Sequence, residues 1–146
     1  MSTKERQSRH QEAVRYIQNA LEILRTKAKK KDKYYQDDKY VRMACATAYN
    51  GVLLAANTYL EMKGKSIDKK AGARINVDDY RTRFVKLDKS ILRTFNTAYE
   101  ILHIVGYYEG ETKFDIIRSG IDAALDIINT IKPSGEPDLL LDQLAA

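Results

Sequence analysis

Glu100 and His103 spell Glu-x-x-His, a spacing that puts a carboxylate and an imidazole on one side of a helical turn. Di-iron carboxylate bundles use this pair, but they need two such motifs and two further glutamates. The chain has one motif, and His10 is its only other histidine. We therefore expect no metal site, and we predict that His103 is a hydrogen-bonded histidine packed between helices.

Cys45, the single cysteine, lies between Ala44 and Ala46 in an apolar stretch. One cysteine excludes a disulfide framework within the chain and a zinc site made of several cysteines. A reactive thiol needs an electropositive, partly exposed setting, so a buried structural thiol is the expectation. The glycines of the 64–72 region do not form a phosphate-binding loop. No catalytic residue and no cofactor is predicted, which argues against an enzyme.

A basic segment at residues 27–42 is the candidate nucleic-acid contact. Lysines neutralise phosphates, and tyrosines stack on unpaired bases. The residues are Lys27, Lys29, Lys30, Lys31, Lys33, Tyr34, Tyr35, Lys39 and Arg42. The alternative is that they form the solvated tip of a helical hairpin without any ligand.

Ten tyrosines occur in the chain and no tryptophan. Most fall on or beside apolar helical stripes, where the ring packs and the hydroxyl reaches water. One group exceeds what a single core needs, and tyrosine is favoured in protein interfaces. This candidate dimer contact consists of Ile101, Ile104, Tyr107 and Tyr108. We expect a homodimer.

Composition bounds the elements that carry these residues. The chain has 146 residues, the size of one domain, and 25 Lys and Arg against 20 Asp and Glu give a net charge of +5. Seven glycines and two prolines leave room for long helices. Charges interrupt every apolar stretch before it could span a membrane, and the N-terminus does not resemble a signal peptide, so a cytoplasmic location is expected.

Apolar residues recur at helical spacing in four segments. They predict an all-α fold, an antiparallel up-and-down four-helix bundle, within one domain over 1–132. The helices are expected at about 9–30, 38–63, 77–107 and 113–131, followed by a C-terminal tail at 133–146. Ser2 and Ser8 are alternative caps for the first helix, and Thr112 is the expected cap of the fourth. The basic 64–76 connection is predicted to be the mobile loop.

The stretch 40–60, YVRMACATAYNGVLLAANTYL, resembles the second helix of HEPN-type helical bundles. The resemblance implies an all-α, frequently dimeric protein linked to RNA cleavage or to nucleotide-associated systems. Catalytic members carry an arginine, four to six residues and then a histidine. Arg6 and His10 enclose three residues and Arg93 and His103 enclose nine, so this chain resembles a member without that site. It also resembles small uncharacterised bacterial helical-bundle families.

Two functions remain open. The favoured one is a non-catalytic interaction or scaffold protein that self-associates through apolar helix surface. The alternative is a HEPN-like RNA- or nucleotide-associated protein that binds through the basic 27–42 tip.

Overall fold

The computed structural model describes residues 1–69 and 72–144, and these are mostly helical. The helices are α1 (Thr3–Ile23), α2 (Asp38–Met62), α3 (Val77–Leu87), α4 (Lys89–Ala98), α5 (Phe114–Asn129) and α6 (Leu141–Leu144). Two π-helical segments continue α1 over Leu24–Ala28 and α4 over Tyr99–Tyr108. The all-α prediction is confirmed in outline, whereas the four-helix count is not. No helix in the described ranges is long and apolar enough to cross a membrane.

The first helix begins earlier than predicted. Ser2 has extended backbone, and its hydroxyl accepts a hydrogen bond from the Glu5 amide at 3.1 Å. This is the first of the two capping sequences, so α1 starts at Thr3 rather than near residue 9.

The prediction of one continuous helix over 77–107 is wrong, because the helix is interrupted at Asp88. This residue has φ −161° and ψ 110°, and its carboxylate accepts hydrogen bonds from the amides of Ser90 and Ile91 at 2.8 and 3.4 Å. An aspartate at an N-cap satisfies amides that a new helix leaves without partners. The break therefore ends α3 and starts α4 within one residue.

A short hairpin, which the sequence did not predict, joins α1 to α2. Strands β1 (Lys30–Lys31) and β2 (Tyr34–Tyr35) pair antiparallel. The hairpin also bonds to the start of α5: the Tyr35 amide donates to the Thr112 carbonyl at 2.8 Å. The prediction that Thr112 caps this helix is wrong. The residue at the N-cap of α5 is Lys113, and its side chain makes no capping hydrogen bond.

Helix α2 lies at the centre and packs against α1, α5 and the continuation of α4. The seam with α1 is narrow at Gly51, where a Cβ would lie 3.0 Å from the Cβ of Tyr16 and 3.1 Å from the Ala13 carbonyl oxygen. Arg9, near the start of α1, forms an ion pair with Glu61, near the end of α2. The two helices therefore run in opposite directions.

His10 is buried between the start of α1 and the end of α5, with 6% of its surface exposed. Its Nε2 has no hydrogen-bond partner in the part of the chain that the structure describes. Burial lowers the pKa of His10; Arg6 and Lys132 lower it further, and Glu136 opposes them. Arg6 lies close to Lys132 because its guanidinium donates to the backbone carbonyls of Ile131 and Lys132, just after the end of α5.

The C-terminal segment folds back onto α5. Asn129 donates to the Leu139 carbonyl at 3.0 Å and accepts from the Leu139 amide at 2.8 Å. Lys132 pairs with Asp138, and Arg118 with Asp142. Most of the predicted 133–146 tail is therefore docked, while residues 145–146, and residues 70–71 of the predicted mobile loop, lie outside the described residues.

Candidate functional site

The π-helical continuation of α4 brings a histidine and three tyrosines onto one side. Its i→i+5 hydrogen bonds widen each turn, so residues four and five apart become neighbours. The His103 ring lies 5.5 Å from Tyr99, 5.9 Å from Tyr107 and 5.0 Å from Tyr108, centroid to centroid. A π-helical segment is rare and frequently marks a functional site.

Helix α2 supplies the fifth ring. Tyr49 stacks on His103 with centroids 4.9 Å apart and an interplanar angle of 28°. We call Tyr49, Tyr99, His103, Tyr107 and Tyr108 the His103 cluster. Rings at 4.5–7 Å gain attraction beyond the burial of their area, so the five rings form one connected aromatic cluster.

The cluster runs from the core to the surface. Tyr49 is buried and His103 is half-buried, whereas Tyr107 and Tyr108 are 40% and 60% exposed. Burial lowers the pKa of His103 and raises the pKa of Tyr49. Both shifts favour the uncharged form, so the inner rings of the cluster, His103 and Tyr49, carry little charge near neutral pH.

Two glycines let the π-helical segment approach its neighbours. A Cβ at Gly106 would lie 2.9 Å from the Cβ of Cys45 and closer still to its sulfur. A Cβ at Gly120 of α5 would meet the Ile101 side chain. These close contacts hold the segment between α2 and α5 and so position the rings.

Arg42 fixes the end of the segment that carries the exposed tyrosines. Its Nη1 donates to the carbonyls of Tyr107 and Tyr108 at 3.0 and 2.5 Å, and its Nε donates to Asp38 at 3.3 Å. The last carbonyls of a helix lack partners within the helix, and a cation there also suits the dipole. Arg42, predicted as a nucleic-acid contact, thus caps this segment.

Two of the four residues in the predicted dimer contact lie together at the surface. Tyr107 and Tyr108 pack against each other with centroids 5.1 Å apart and are exposed. Ile101 instead packs toward α5, and Ile104 is half-buried.

The Glu-x-x-His pair and the cysteine form no chemical site in the described residues. His103 stacks between tyrosines instead of making the predicted hydrogen bond, Glu100 is exposed, and no group of three or more potential metal ligands occurs in the described ranges. Cys45 is fully buried, and burial raises the pKa of its thiol to about 12. The Cys45 thiol is therefore protonated at neutral pH and shielded from solvent, which does not suit a nucleophile.

The basic segment lies on and beside the hairpin, and its members differ in exposure. Tyr35 is buried, and Lys30 places its ammonium 4.0 Å from the Phe114 ring centroid. Lys39 lies over the Tyr40 ring at 4.7 Å. Exposed side chains without such ring contacts are Lys27, Lys29, Lys31, Lys33 and Tyr34. The surface is thus a lysine-rich hairpin tip with one exposed tyrosine.

The sequence did not predict that Tyr49 stacks on His103. The available signal was the spacing of Tyr99, His103 and Tyr107, which is four residues at each step and ends in a second tyrosine. With α-helical geometry, the same pattern predicts only a histidine packed between helices.

Comparison with known proteins places the chain in a family. Residues 8–133 match the model of a domain of unknown function, DUF5618. The chain belongs to this family. The chain is also similar to the solved structure of a protein of unknown function from Dyadobacter fermentans, with 40% identity and a TM-score of 0.76 over 90% of this chain and 97% of that one. No curated protein matches.

Proposed function

We propose that the protein is a non-catalytic scaffold that self-associates through the exposed end of the His103 cluster. The observation that carries the proposal is the paired, exposed rings of Tyr107 and Tyr108, stiffened from below by stacked His103. Exposed tyrosines supported by buried rings supply a large contact area that loses little side-chain entropy on binding.

The surroundings of the tyrosine pair suit a contact between two copies. Interfaces are enriched in tyrosine, methionine and arginine and depleted of charge at their centre. Met43, which follows Arg42 in α2, is 49% exposed. The Arg42 guanidinium donates hydrogen bonds to Asp38 and to the two backbone carbonyls, so these contacts replace part of its hydration.

The scaffold we propose is an antiparallel four-helix arrangement of α1, α2, the joined α4 and its continuation, and α5. The ion pair between Arg9 and Glu61 supports opposite directions for α1 and α2. The approach of Gly106 to Cys45 supports the same relation between the end of the π-helical segment and the start of α2.

Light scattering coupled to size exclusion tests the proposal at micromolar to submillimolar concentration. We expect a dimer mass for the wild type and a monomer mass for Tyr107→Ser/Tyr108→Ser. The matched control is Tyr34→Ser, which removes a ring of similar exposure, 50%, on the hairpin and should remain dimeric. A monomeric wild type, or a double variant that stays dimeric while folded by circular dichroism, would overturn the proposal.

A second candidate is RNA binding at the hairpin tip, as a HEPN-like protein would show without a nuclease site. The exposed lysines around Tyr34 favour it, because lysines bind phosphates and a tyrosine ring accepts a stacked base. We expect single-stranded RNA to bind at low salt, and Lys31→Glu/Lys33→Glu to abolish binding. The control is Lys86→Glu/Lys89→Glu, the same change of charge at exposed lysines of α3 and α4. Absence of binding at low salt excludes this candidate.

A further inference from the structure

A cavity of about 760 Å³ lies between the end of α1, the hairpin, the first half of α5 and α6. Small-molecule sites usually have volumes of 300–1,000 Å³ and combine an apolar lining with a few polar groups. The cavity lies outside the His103 cluster and shares no residue with it. Its lining therefore calls for a separate explanation.

The floor of the cavity is apolar. Leu24, Ile117, Ile121 and Leu141 line it and are almost completely buried. Leu21, Phe114 and Leu144 add partly buried side chains at its sides. A surface of this composition binds an alkyl chain or a ring, because removing both from water is favourable.

Cations surround the floor. Arg25, Lys30 and Arg118 line the cavity together with one carboxylate, Glu22. Arg118 also pairs with Asp142, whose side chain is largely exposed. The three cations exceed the two carboxylates, Glu22 and Asp142, by one, which favours a ligand with a single negative charge over a neutral or a cationic one.

Tyr35 provides a hydrogen-bond donor within the lining. The residue is 8% exposed, and its ring lies 5.7 Å from the Phe114 centroid. Within the described ranges its hydroxyl is not among the buried polar atoms that lack a partner, and the residue lines the cavity, so the hydroxyl is available to a ligand there. Burial raises the pKa of Tyr35 to about 12, so the hydroxyl stays protonated and can donate to an oxyanion.

We propose that this cavity binds a small amphipathic monoanion, a carboxylate on an apolar chain or ring. The apolar part lies on Leu24, Ile117 and Ile121. The carboxylate accepts hydrogen bonds from Tyr35 and pairs with Lys30 and Arg118. Helix α6 forms one wall through Leu141 and Leu144, so the docked C-terminal segment completes the site.

Isothermal titration of the full chain with decanoate, and with decanol as its uncharged counterpart, tests the proposal. We expect saturable binding of decanoate, about tenfold tighter than that of decanol, because a charge-assisted hydrogen bond adds to the shared burial of the chain. Lys30→Gln and Tyr35→Phe should each weaken decanoate binding by several-fold to about tenfold. Equal affinities for the two compounds, or no binding of either, would overturn the proposal.

Arg118→Gln needs a control, since it also breaks the ion pair that helps to hold α6. Lys132→Gln breaks the other ion pair of the C-terminal segment, with Asp138, away from the cavity lining. We expect Arg118→Gln to weaken decanoate binding and Lys132→Gln to leave it unchanged. Equal losses for both would show that the charge acts only through the docked segment, which contradicts a carboxylate site.

Methyl NMR spectra locate the ligand without relying on variants. The methyl signals of Ile117 and Ile121 should shift with decanoate, and those of Ile17, a buried α1 residue outside the lining, should not. Shifts confined to surface residues elsewhere would refute the assignment.

Discussion

Replacement of Gly106 with alanine tests how closely the π-helical segment must approach α2. The new methyl carbon would lie 2.9 Å from the Cβ of Cys45, closer to its sulfur, and 3.0 Å from the Ile101 carbonyl oxygen. Alanine in place of a helical glycine gains about 0.5–1 kcal/mol, whereas overpacking a core costs about 1–3 kcal/mol. We expect a net loss of about 1–2 kcal/mol in the free energy of unfolding, measured by urea denaturation.

A double-mutant cycle isolates the cause. Cys45→Ala removes the sulfur that the new methyl group meets, so Gly106→Ala should cost less in that background, with a coupling of about 1 kcal/mol. Gly51→Ala is the matched control, because its nearest atoms are 3.0 and 3.1 Å away, and we expect a smaller change. Equal stability of wild type and Gly106→Ala, or a coupling near zero, would refute the close approach as the reason for this glycine.

Two further predictions concern pH and the helix break. Burial lowers the pKa of His10 in the folded protein, so below about pH 6.5 the unfolded chain binds more protons than the folded one. The free energy of unfolding should therefore decrease as the pH is lowered through this range. Urea titrations at about pH 7.5 and about pH 5.5 measure this loss of stability, which should be smaller in His10→Asn than in the wild type. It should also be smaller in His103→Asn, because burial lowers the pKa of His103 as well. If both variants keep the pH dependence of the wild type, these two histidines are not its cause. Asp88→Ala removes the acceptor for the Ser90 and Ile91 amides and should lower the free energy of unfolding by about 1 kcal/mol, again by urea; no change means that water replaces the cap.

Helical periodicity predicted the buried faces well because it follows from burial itself. Ile117, Ile121 and Ile128, for example, recur at helical spacing in the segment predicted as the fourth helix, and all three are buried. The same periodicity hid the break at Asp88. The apolar stripe passes from Phe84 in α3 to Phe95 in α4, and one capping carboxylate between them hardly alters the pattern.

The candidate site was harder to predict because its geometry is not α-helical and its contacts are not local. A π-helical turn depends on the i→i+5 bonds of the backbone, which no single residue in Tyr99–Tyr108 specifies. The stacking of Tyr49 on His103 depends on where α2 lies relative to α4. Tyr35 was predicted, together with its neighbour Tyr34, as a candidate nucleic-acid contact, yet the hairpin exposes Tyr34 and buries Tyr35.

Arg42 lies between the two proposed surfaces, so a substitution of this residue does not distinguish RNA binding from self-association. Its charge lies at the start of α2, close along the chain to the lysine-rich hairpin, but its guanidinium binds the carbonyls of Tyr107 and Tyr108. An Arg42 variant that lost RNA binding would also have lost the contacts that orient the tyrosine pair, so that result would not distinguish the functions. Lys31 and Lys33 carry exposed charges on the hairpin and are separate from the tyrosine pair, so their replacement tests RNA contact by itself.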